Sequence, residues 1–367
     1  MSEIRPQRGL DGIRPYVPGK PIEEVKREYG LQNVTKLASN ENPLGPSPKA
    51  LAALERVLHE IHLYPDGQCY DLRRAIAAHL DVAPEQVIVG NGADGLILQT
   101  CLAYLDEGDE VIVGRSSFPV YDIYTHVMRA RLVKVPLKEY RLDLEGMARA
   151  ITDRTKIIFV CNPNNPTGTI VTRDEVEPFL TKVPEHVLVV FDEAYHEFVE
   201  SSKYPDTLRY VRGGRRNVMA MRTFSKVYGL AGLRLGYAVA HPETLAPLWQ
   251  VKEPFAVNRL AQIAGVAALK DDPFVCRTVE ATRRGRRDLY HAFDRLGLFY
   301  VESQTNFVLV RIGPKAAEVA QRLLERGIIV RPCAHYDLPE FLRITVGNPD
   351  QNAHLIAALE EILAEVR

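Results

Sequence analysis

Residues 222–237 read RTFSKVYGLAGLRLGY, a glycine-rich stretch that lies between two apolar runs. It contains one lysine, Lys226, two hydroxyl side chains on Thr223 and Ser225, and an arginine at Arg234. A charged ammonium group is costly to bury among apolar residues, and burial lowers the pKa of a lysine so that its neutral amine can act as a nucleophile. From this stretch alone, a lysine that forms a Schiff base and a lysine that pairs with a phosphate or carboxylate are equally good interpretations.

The composition is that of an ordinary globular protein. The chain has 367 residues, a formal net charge of -1, 46% hydrophobic residues and 25% charged residues. The length predicts two domains, and the balanced charge argues against nucleic acid or an anionic membrane as the main partner. No apolar run reaches the roughly 18 residues that a membrane helix needs. The cysteines form no C-x-x-C pair, so we expect no metal site and no disulfides, as in a cytoplasmic enzyme.

Apolar runs alternate with helical patterns through the middle of the chain. The runs that read as buried strands are 86–90, 110–114, 131–136, 156–160, 187–192, 217–221 and 235–240. Such alternation predicts a mostly parallel sheet with helices on both faces, in which functional side chains gather at the carboxyl ends of the strands.

The two ends of the chain have different patterns. Six prolines in the first 46 residues prevent long regular structure there. Residues 242–296 are helical in pattern, and the run RRGRR at 283–287 is expected to be a solvated helix face. Strand and helix patterns alternate again after residue 306. The expected divisions are an N-terminal arm at 1–46 that packs near the substrate entrance, a large domain at 47–275 and a small C-terminal domain at 276–367.

Three motifs follow predicted strands. The sequence GNGADG at 90–95 formally matches a dinucleotide fingerprint, but a phosphate site at a helix N-terminus or a structural turn explains it as well. The sequence CNPNNPTG at 161–168 is either a turn or a set of amides aimed at a ligand. The sequence FDEAY at 191–195 places Asp192 after a strand, as a helix N-cap or as a buried carboxylate that holds a cation.

These groups can converge because they all follow strands of one sheet. Pyridoxal phosphate would use all of them. Its aldehyde takes an amine such as Lys226, its pyridinium takes a carboxylate such as Asp192, and its phosphate takes a helix N-terminus, hydroxyls and an arginine. The residues therefore indicate pyridoxal 5'-phosphate as the cofactor. The glycines Gly229 and Gly232 are expected to let the backbone pass close to it, with a plain turn as the alternative.

Residues 30–350 resemble the fold-type-I aminotransferases of the aspartate aminotransferase superfamily, through NPNNPTG, FDEAY and TFSKVYGLAGLRLGY. Within that superfamily the chain is similar to the histidinol-phosphate aminotransferases. The segments that carry this similarity are 14–25, 36–48, 64–67, 328–332 and 342–352. The resemblance implies an α/β fold-type-I PLP-dependent transferase. Its large domain would hold a seven-stranded, mostly parallel sheet between helices, with a small α+β domain and an N-terminal arm.

The resemblance also implies the cofactor contacts. Lys226 would form the Schiff base and then move a proton, and Asp192 would pair with the pyridine nitrogen. Tyr195 and Asn165 would donate to the phenolate oxygen, while Phe118 would stack on the ring, where the family often has a tyrosine. The residues implied to hold the phosphate are the backbone of Ala93 and Asp94, the side chains of Thr223, Ser225 and Arg234, and Tyr64 from a neighbouring subunit. The family more often has Ser-Asp-Glu at positions 93–95, so side-chain roles at 93 and 95 do not follow. Tyr64 implies a homodimer.

Two arginines in the C-terminal strands point to the substrate, because a buried guanidinium needs an anion. By resemblance, Arg343 binds the carboxylate next to the reacting amine of glutamate and helps to hold the phosphate of histidinol phosphate. The other residues implied to bind substrate are Tyr16, Asn40, Glu41, Asn165 and Arg331. The expected reaction converts L-histidinol phosphate and 2-oxoglutarate to imidazole-acetol phosphate and L-glutamate, in histidine biosynthesis.

The sequence leaves other functions open. An aminotransferase for aromatic amino acids and a phosphothreonine decarboxylase share the expected fold. A nicotinamide oxidoreductase built on GNGADG would leave Lys226, Asp192 and NPNNPTG unexplained, and a cofactor-binding regulator would need a DNA-binding segment that the sequence does not show.

Overall fold

The computed structural model describes residues 4, 6–11, 13, 15 and 19–366. The α-helices of this part of the chain are α1 (Ile22–Tyr29), α2 (Pro48–Glu55), α3 (Tyr70–Leu80), α4 (Gly92–Tyr104), α5 (Val120–Val127), α6 (Leu144–Arg149), α7 (Arg173–Lys182), α8 (Leu208–Arg212), α9 (Pro242–Val251), α10 (Arg259–Ala268), α11 (Asp272–Arg295), α12 (Ala316–Glu325) and α13 (Pro349–Val366). The strands are β1 (Thr35–Lys36), β2 (Val87–Asn91), β3 (Glu110–Gly114), β4 (Arg131–Val135), β5 (Thr155–Cys161), β6 (Leu188–Asp192), β7 (Val218–Thr223), β8 (Leu235–Ala240), β9 (Tyr300–Val301), β10 (Phe307–Arg311), β11 (Ile328–Ile329), β12 (Arg331–Pro332) and β13 (Phe341–Thr345).

A seven-stranded sheet with the order β2-β8-β7-β6-β5-β3-β4 forms the centre of the fold. The neighbours from β7 to β4 pair in parallel, and β8 runs antiparallel to both of its neighbours. All seven runs predicted as buried strands belong to this sheet, each within two residues of its predicted ends. The prediction of a mostly parallel sheet between helices is therefore confirmed.

The inner strands are mostly apolar because both faces of the sheet are covered, whereas the edge strand β4 carries the exposed Arg131 and Lys134. Ile158 and Val160 pack into the cluster on one face, and their neighbours Ile157 and Phe159 pack into the cluster on the other. Successive side chains of a strand point to opposite faces, so in the inner strands this alternation leaves polar side chains a place mainly near the strand ends.

A second, antiparallel sheet with the order β12-β13-β10-β9 is packed against α11, α12 and α13. The short strand β1 pairs in parallel with β11, with Thr35 opposite Ile328, so the N-terminal segment is tied to the C-terminal part of the chain. The predicted domain boundary after residue 275 falls inside the continuous helix α11, and the division into an arm and two domains stays a prediction. In the part of the chain that the structure describes, no helix is long and apolar enough to cross a membrane.

The expectation for the run RRGRR is wrong at one position. Arg283 and Arg284 pair with Glu280 and are accessible, but Arg286 is buried. Arg286 donates to the carbonyl oxygen of Thr305 at 2.7 Å and pairs with Glu200. A run of like charges does not show which of its members faces the core, because that depends on what packs against the helix.

Candidate active site

A cavity of about 620 Å³ opens at the edge of the large sheet where its parallel strands end. The predicted site residues that line it are Asn40, Glu41, Ala93, Asp94, Phe118, Asn165, Asp192, Tyr195, Thr223, Ser225, Lys226, Arg234, Arg331 and Arg343. Tyr16 lies outside the described residues. Tyr64 is 80% exposed, stacks on Phe255 with ring centroids 4.8 Å apart, and does not line this cavity.

The sheet register brings the site residues together. Asp192, the last residue of β6, is in register with Cys161, the last residue of β5, and with Met221 of β7. Arg234 directly precedes β8, whose antiparallel direction places the start of that strand at the same edge. Side chains that are far apart in sequence thus surround one cavity, as the position of the strand ends predicts.

Lys226 lies partly buried in the wall of this cavity. Its Nζ donates to the carbonyl oxygen of Ser39 at 3.3 Å and lies 5.8 Å from the centroid of the Tyr195 ring. Burial, and next the positive charge of Arg343, lower the pKa of Lys226 to about 8. The lowering that the apolar sequence context predicted is confirmed, and it gives the amine a larger neutral, nucleophilic fraction near pH 7.

This pKa predicts how the lysine should react in the protein freed of cofactor. Only the neutral amine is a nucleophile, so acylation of Lys226 by a reagent such as acetic anhydride should rise with a midpoint near pH 8. An exposed lysine should instead titrate near pH 10.4. Peptide mass spectrometry after brief labelling at each pH measures the midpoints of Lys226 and of the exposed lysines. A midpoint for Lys226 equal to that of the exposed lysines would contradict the effect of burial.

Asp192 is a buried carboxylate with two hydrogen bonds. The Tyr121 hydroxyl donates to its Oδ2 at 2.6 Å, and the backbone N–H of Ala194 donates to its Oδ1 at 3.2 Å. Burial raises the pKa of Asp192 to about 6, and the two hydrogen bonds oppose that rise. Asp192 is therefore mostly ionised at pH 7 and can hold a cation. Sequence reasoning missed Tyr121, because no motif marks it.

The other end of the cavity is suited to a phosphate. The start of α4 at Ala93 and Asp94 lies beside Arg234, whose Nη2 is 3.0 Å from Oδ2 of Asp94. The Thr223 hydroxyl donates to Oγ of Ser225 at 3.0 Å. A helix N-terminus, hydroxyls and a guanidinium together make an anion site.

Two glycines allow this close arrangement. Gly92 has a φ of 72°, and a Cβ there would lie 2.6 Å from Nη2 of Arg234. A Cβ on Gly236 would lie 2.6 Å from the backbone nitrogen of Ala93. With a nucleophilic amine, a buried carboxylate and an anion site in one cavity, the residues present fit pyridoxal phosphate.

For Gly229, the plain turn that was the alternative interpretation fits the structure better than room for a cofactor. Gly229 has a φ of 68°, and a Cβ there would lie 2.1 Å from the carbonyl oxygen of Gly45, so this glycine serves a turn and a close approach of two chain segments. A Cβ on Gly232 would meet nothing within 4 Å. The turn is therefore the better interpretation of Gly229, and room for a cofactor beside Gly232 stays a prediction.

Tyr195 and Asn165 are each held by another residue of the cavity. The hydroxyl of Tyr195 accepts from Nδ2 of Asn40 at 2.9 Å, and burial raises the pKa of Tyr195, which keeps the hydroxyl protonated. Oδ1 of Asn165 accepts from Nη1 of Arg343 at 2.6 Å. Both residues therefore keep a donor, a hydroxyl and an amide, for a bound oxygen.

The two arginines form a second anion site. Arg331 of β12 and Arg343 of β13 are directly opposite in register, so both side chains lie on one face of the small sheet. They are 6% and 4% exposed and both line the cavity. Two buried guanidinium groups side by side favour an anionic ligand such as a carboxylate or a phosphate.

Further residues, which sequence reasoning also missed, orient these arginines. Nη1 of Arg343 donates to the Tyr336 hydroxyl at 3.2 Å, and its Nη2 donates to the Ala38 carbonyl oxygen at 2.6 Å. Nη2 of Arg331 lies 3.1 Å from Nε2 of His335. Burial and the two arginines lower the pKa of His335 to about 4, so the ring is neutral at pH 7 and its nitrogen can accept this bond.

Comparison with known proteins gives a consistent set of relatives. Residues 32–359 match the model of the aminotransferase class I and II family. The chain is 52% identical to the histidinol-phosphate aminotransferase of Moorella thermoacetica over 352 residues, which are 96% of this chain and 91% of the relative. It is 47% identical to that of Symbiobacterium thermophilum over 365 residues, 100% of both chains. Among solved structures, the histidinol-phosphate aminotransferase from Sinorhizobium meliloti in complex with pyridoxal-5'-phosphate is similar, with a TM-score of 0.92, 29% identity, and coverage of 100% of this chain and 99% of that one.

Proposed function

Because the chain belongs to the class I and II aminotransferases, we propose that it transfers the amino group of L-histidinol phosphate to 2-oxoglutarate, with pyridoxal 5'-phosphate as its cofactor. The products are imidazole-acetol phosphate and L-glutamate, in histidine biosynthesis. The main support for this substrate is the similarity, over nearly the whole chain, to histidinol-phosphate aminotransferases at 52% and 47% identity. The paired arginines of the cavity supply a physical reason for it.

Each cavity residue then has a chemical task. Bound pyridoxal phosphate supplies an electron sink that makes the Cα–H of the substrate acidic. Lys226 would hold the cofactor through its amine and would then move the proton of the substrate Cα, as general base and afterwards as general acid. Asp192 would accept a hydrogen bond from the protonated ring nitrogen, and Phe118 would cover the ring face. Tyr195 and Asn165 would donate to its phenolate oxygen.

One cavity must bind two different anions in the two half-reactions. Glutamate has a carboxylate next to its reacting amine, and histidinol phosphate has a phosphate ester on the carbon in that place. Guanidinium groups form paired hydrogen bonds with both anions. In this proposal Arg343 acts in both half-reactions, while Arg331 and Tyr16 complete the phosphate site. Asn40 and Glu41 lie near the substrate entrance, where Asn40 also holds the Tyr195 hydroxyl.

Arg331→Gln should therefore affect the two substrates unequally. The change removes charge-assisted hydrogen bonds to the phosphate, so kcat/KM for histidinol phosphate should fall about 10- to 100-fold more than kcat/KM for glutamate. Half-reaction kinetics with each substrate measure the ratio. A matched control is Arg311→Gln, which removes an exposed guanidinium of β10 that pairs with Glu340. Equal losses for both substrates would contradict a phosphate role for Arg331.

The proposed substrate is tested by direct comparison. Purified enzyme is given histidinol phosphate, phenylalanine or phosphothreonine, and amino-group transfer and release of carbon dioxide are measured separately. The proposal requires the highest kcat/KM with histidinol phosphate and no carbon dioxide. A higher kcat/KM with phenylalanine, or carbon dioxide from phosphothreonine, would favour the alternative enzymes of the same fold, which the relatives do not support.

The proposed active unit is a homodimer in which Tyr64 reaches the cofactor phosphate of the neighbouring subunit. Its support is that Tyr64 is largely exposed and lies outside the cavity of its own chain. Exposed apolar side chains, which a subunit interface would cover, lie nearby in sequence at Leu58, Ile61 and Leu63.

A cytoplasmic location is proposed as well, supported by five cysteines that form no disulfide.

Mixed dimers test the placement of Tyr64. Tyr64→Phe should weaken cofactor binding about 10-fold, because one hydrogen bond to a charged group is lost. A dimer of one Tyr64→Phe chain and one Lys226→Ala chain should contain one site with normal cofactor affinity. A dimer of one double-variant chain and one wild-type chain should contain only a weakened site. If the site with normal cofactor affinity occurs in the second dimer instead of the first, Tyr64 acts in the site of its own chain.

A further inference from the structure

Tyr121 is a buried tyrosine that the roles above leave unused. It is the second residue of α5, is wholly buried and does not line the cavity, so it cannot touch substrate. Its ring stacks on Phe159 with centroids 4.5 Å apart and an interplanar angle of 8°. The ring of Phe118 meets it edge-on at 5.7 Å. Packing on two sides fixes the direction in which the hydroxyl points.

That hydroxyl points at Asp192. It donates to Oδ2 at 2.6 Å, within the range of strong O–H···O⁻ bonds, while Ala194 supplies a backbone N–H to Oδ1. The carboxylate also lies in the field of two other acids, Asp94 and Glu193. Burial and these like charges both favour a protonated Asp192, and the bonds from Tyr121 and Ala194 favour the ionised form.

We propose that Tyr121 is a positioning residue that keeps Asp192 ionised and aimed at the ring nitrogen of the cofactor. The proposal rests on the assignment of Asp192 to that nitrogen under the proposed function. A carboxylate and a pyridine nitrogen compete for one proton in a buried site. A donor on the far side of the carboxylate lowers its affinity for the proton, so the proton stays on the nitrogen and the ring remains an electron sink.

Tyr121→Phe removes only the hydroxyl and keeps the stacked ring. In holoenzyme loaded with ¹⁵N-labelled pyridoxal phosphate, the ¹⁵N resonance of the ring nitrogen reports its protonation. The wild type should stay protonated through neutral pH. The variant should shift toward the unprotonated resonance, and its kcat should fall about 10- to 100-fold with a smaller change in KM.

Tyr104→Phe is the matched control. Tyr104 packs against the same apolar cluster, and its hydroxyl donates to the carbonyl oxygen of Thr244 at 2.8 Å, outside the cavity. This variant should keep the wild-type resonance. In an Asp192→Asn background, Tyr121→Phe should cause no further shift of the resonance, since the anion it acts on is gone. A purely structural hydroxyl would lower thermal stability in both backgrounds and leave the resonance unmoved.

Two outcomes would overturn the proposal, and they differ. In the first, the wild-type nitrogen is protonated, and Tyr121→Phe has the same resonance and the same kcat as the wild type. The role of Tyr121 is then refuted while the role of Asp192 stands. If the wild-type nitrogen is itself unprotonated at neutral pH, the assignment of Asp192 fails, and the role of Tyr121 fails with it.

Discussion

Replacing Lys226 with alanine is expected to lower kcat for transamination by about 10⁴-fold. The variant loses the amine that attaches the cofactor and the group that moves the proton at the substrate Cα. The contacts of Thr223, Ser225 and Arg234 at the phosphate end do not involve Lys226. The variant should therefore fold and still bind pyridoxal phosphate, held without a covalent bond.

Lys252→Ala provides a control of the same kind. Lys252 is another partly buried lysine whose pKa burial lowers, and its Nζ donates to the Gly67 carbonyl oxygen at 3.0 Å, outside the cavity. Its replacement should leave kcat near the wild-type value. Rates with histidinol phosphate, absorbance of bound cofactor and circular dichroism are compared for both variants. Sustained turnover by well-folded Lys226→Ala would refute the role assigned to this lysine.

Sequence could predict the sheet and much of the site for one physical reason. A strand covered on both faces must be apolar along its whole length, so the first polar residue after it, such as Asp192, marks an end of the sheet. Parallel strands share that edge, which is why motifs as distant as GNGADG at 90–95 and the stretch around Lys226 could be placed in one cavity. This inference needs only the order of strands and helices.

The site residues that could not be predicted from the sequence act through packing between helices and strands. Tyr121 reaches Asp192 across 71 positions of sequence because α5 covers the face of the sheet that contains Phe159. Tyr336 and His335 reach the two arginines from a short 3-10 helix between β12 and β13. Neither position carries a periodicity or a motif, because a single hydrogen bond leaves no pattern in the sequence.

The burial of charged residues was likewise predictable at one position and not at another. Arg343 could be predicted to be buried because it interrupts an otherwise apolar strand, and such a strand in a covered sheet has little access to water. Arg286 could not, because RRGRR has the composition of a solvated helix face. Its burial depends on Thr305 and Glu200, which come from distant segments.

The second large effect is expected for Arg343→Gln. In the proposed function, Arg343 binds the carboxylate of glutamate and contributes to the phosphate site, so kcat/KM should fall for both substrates. Loss of one partner from a buried charge pair costs about 2–5 kcal/mol, which corresponds to a decrease of about 30- to 5,000-fold. Arg343→Lys keeps the charge without the planar pair of donors and should give an intermediate loss.

A matched variant distinguishes loss of binding from loss of structure. Arg343 also donates to Asn165, Tyr336 and Ala38, so its removal should lower stability as well as anion binding. Arg286→Gln removes another buried guanidinium, whose partners lie outside the cavity. It should lower the melting temperature while the folded enzyme keeps its kcat/KM. If Arg343→Gln lowers the melting temperature to the same extent but keeps kcat/KM for both substrates, Arg343 is a structural arginine and the anion site must be assigned to other residues.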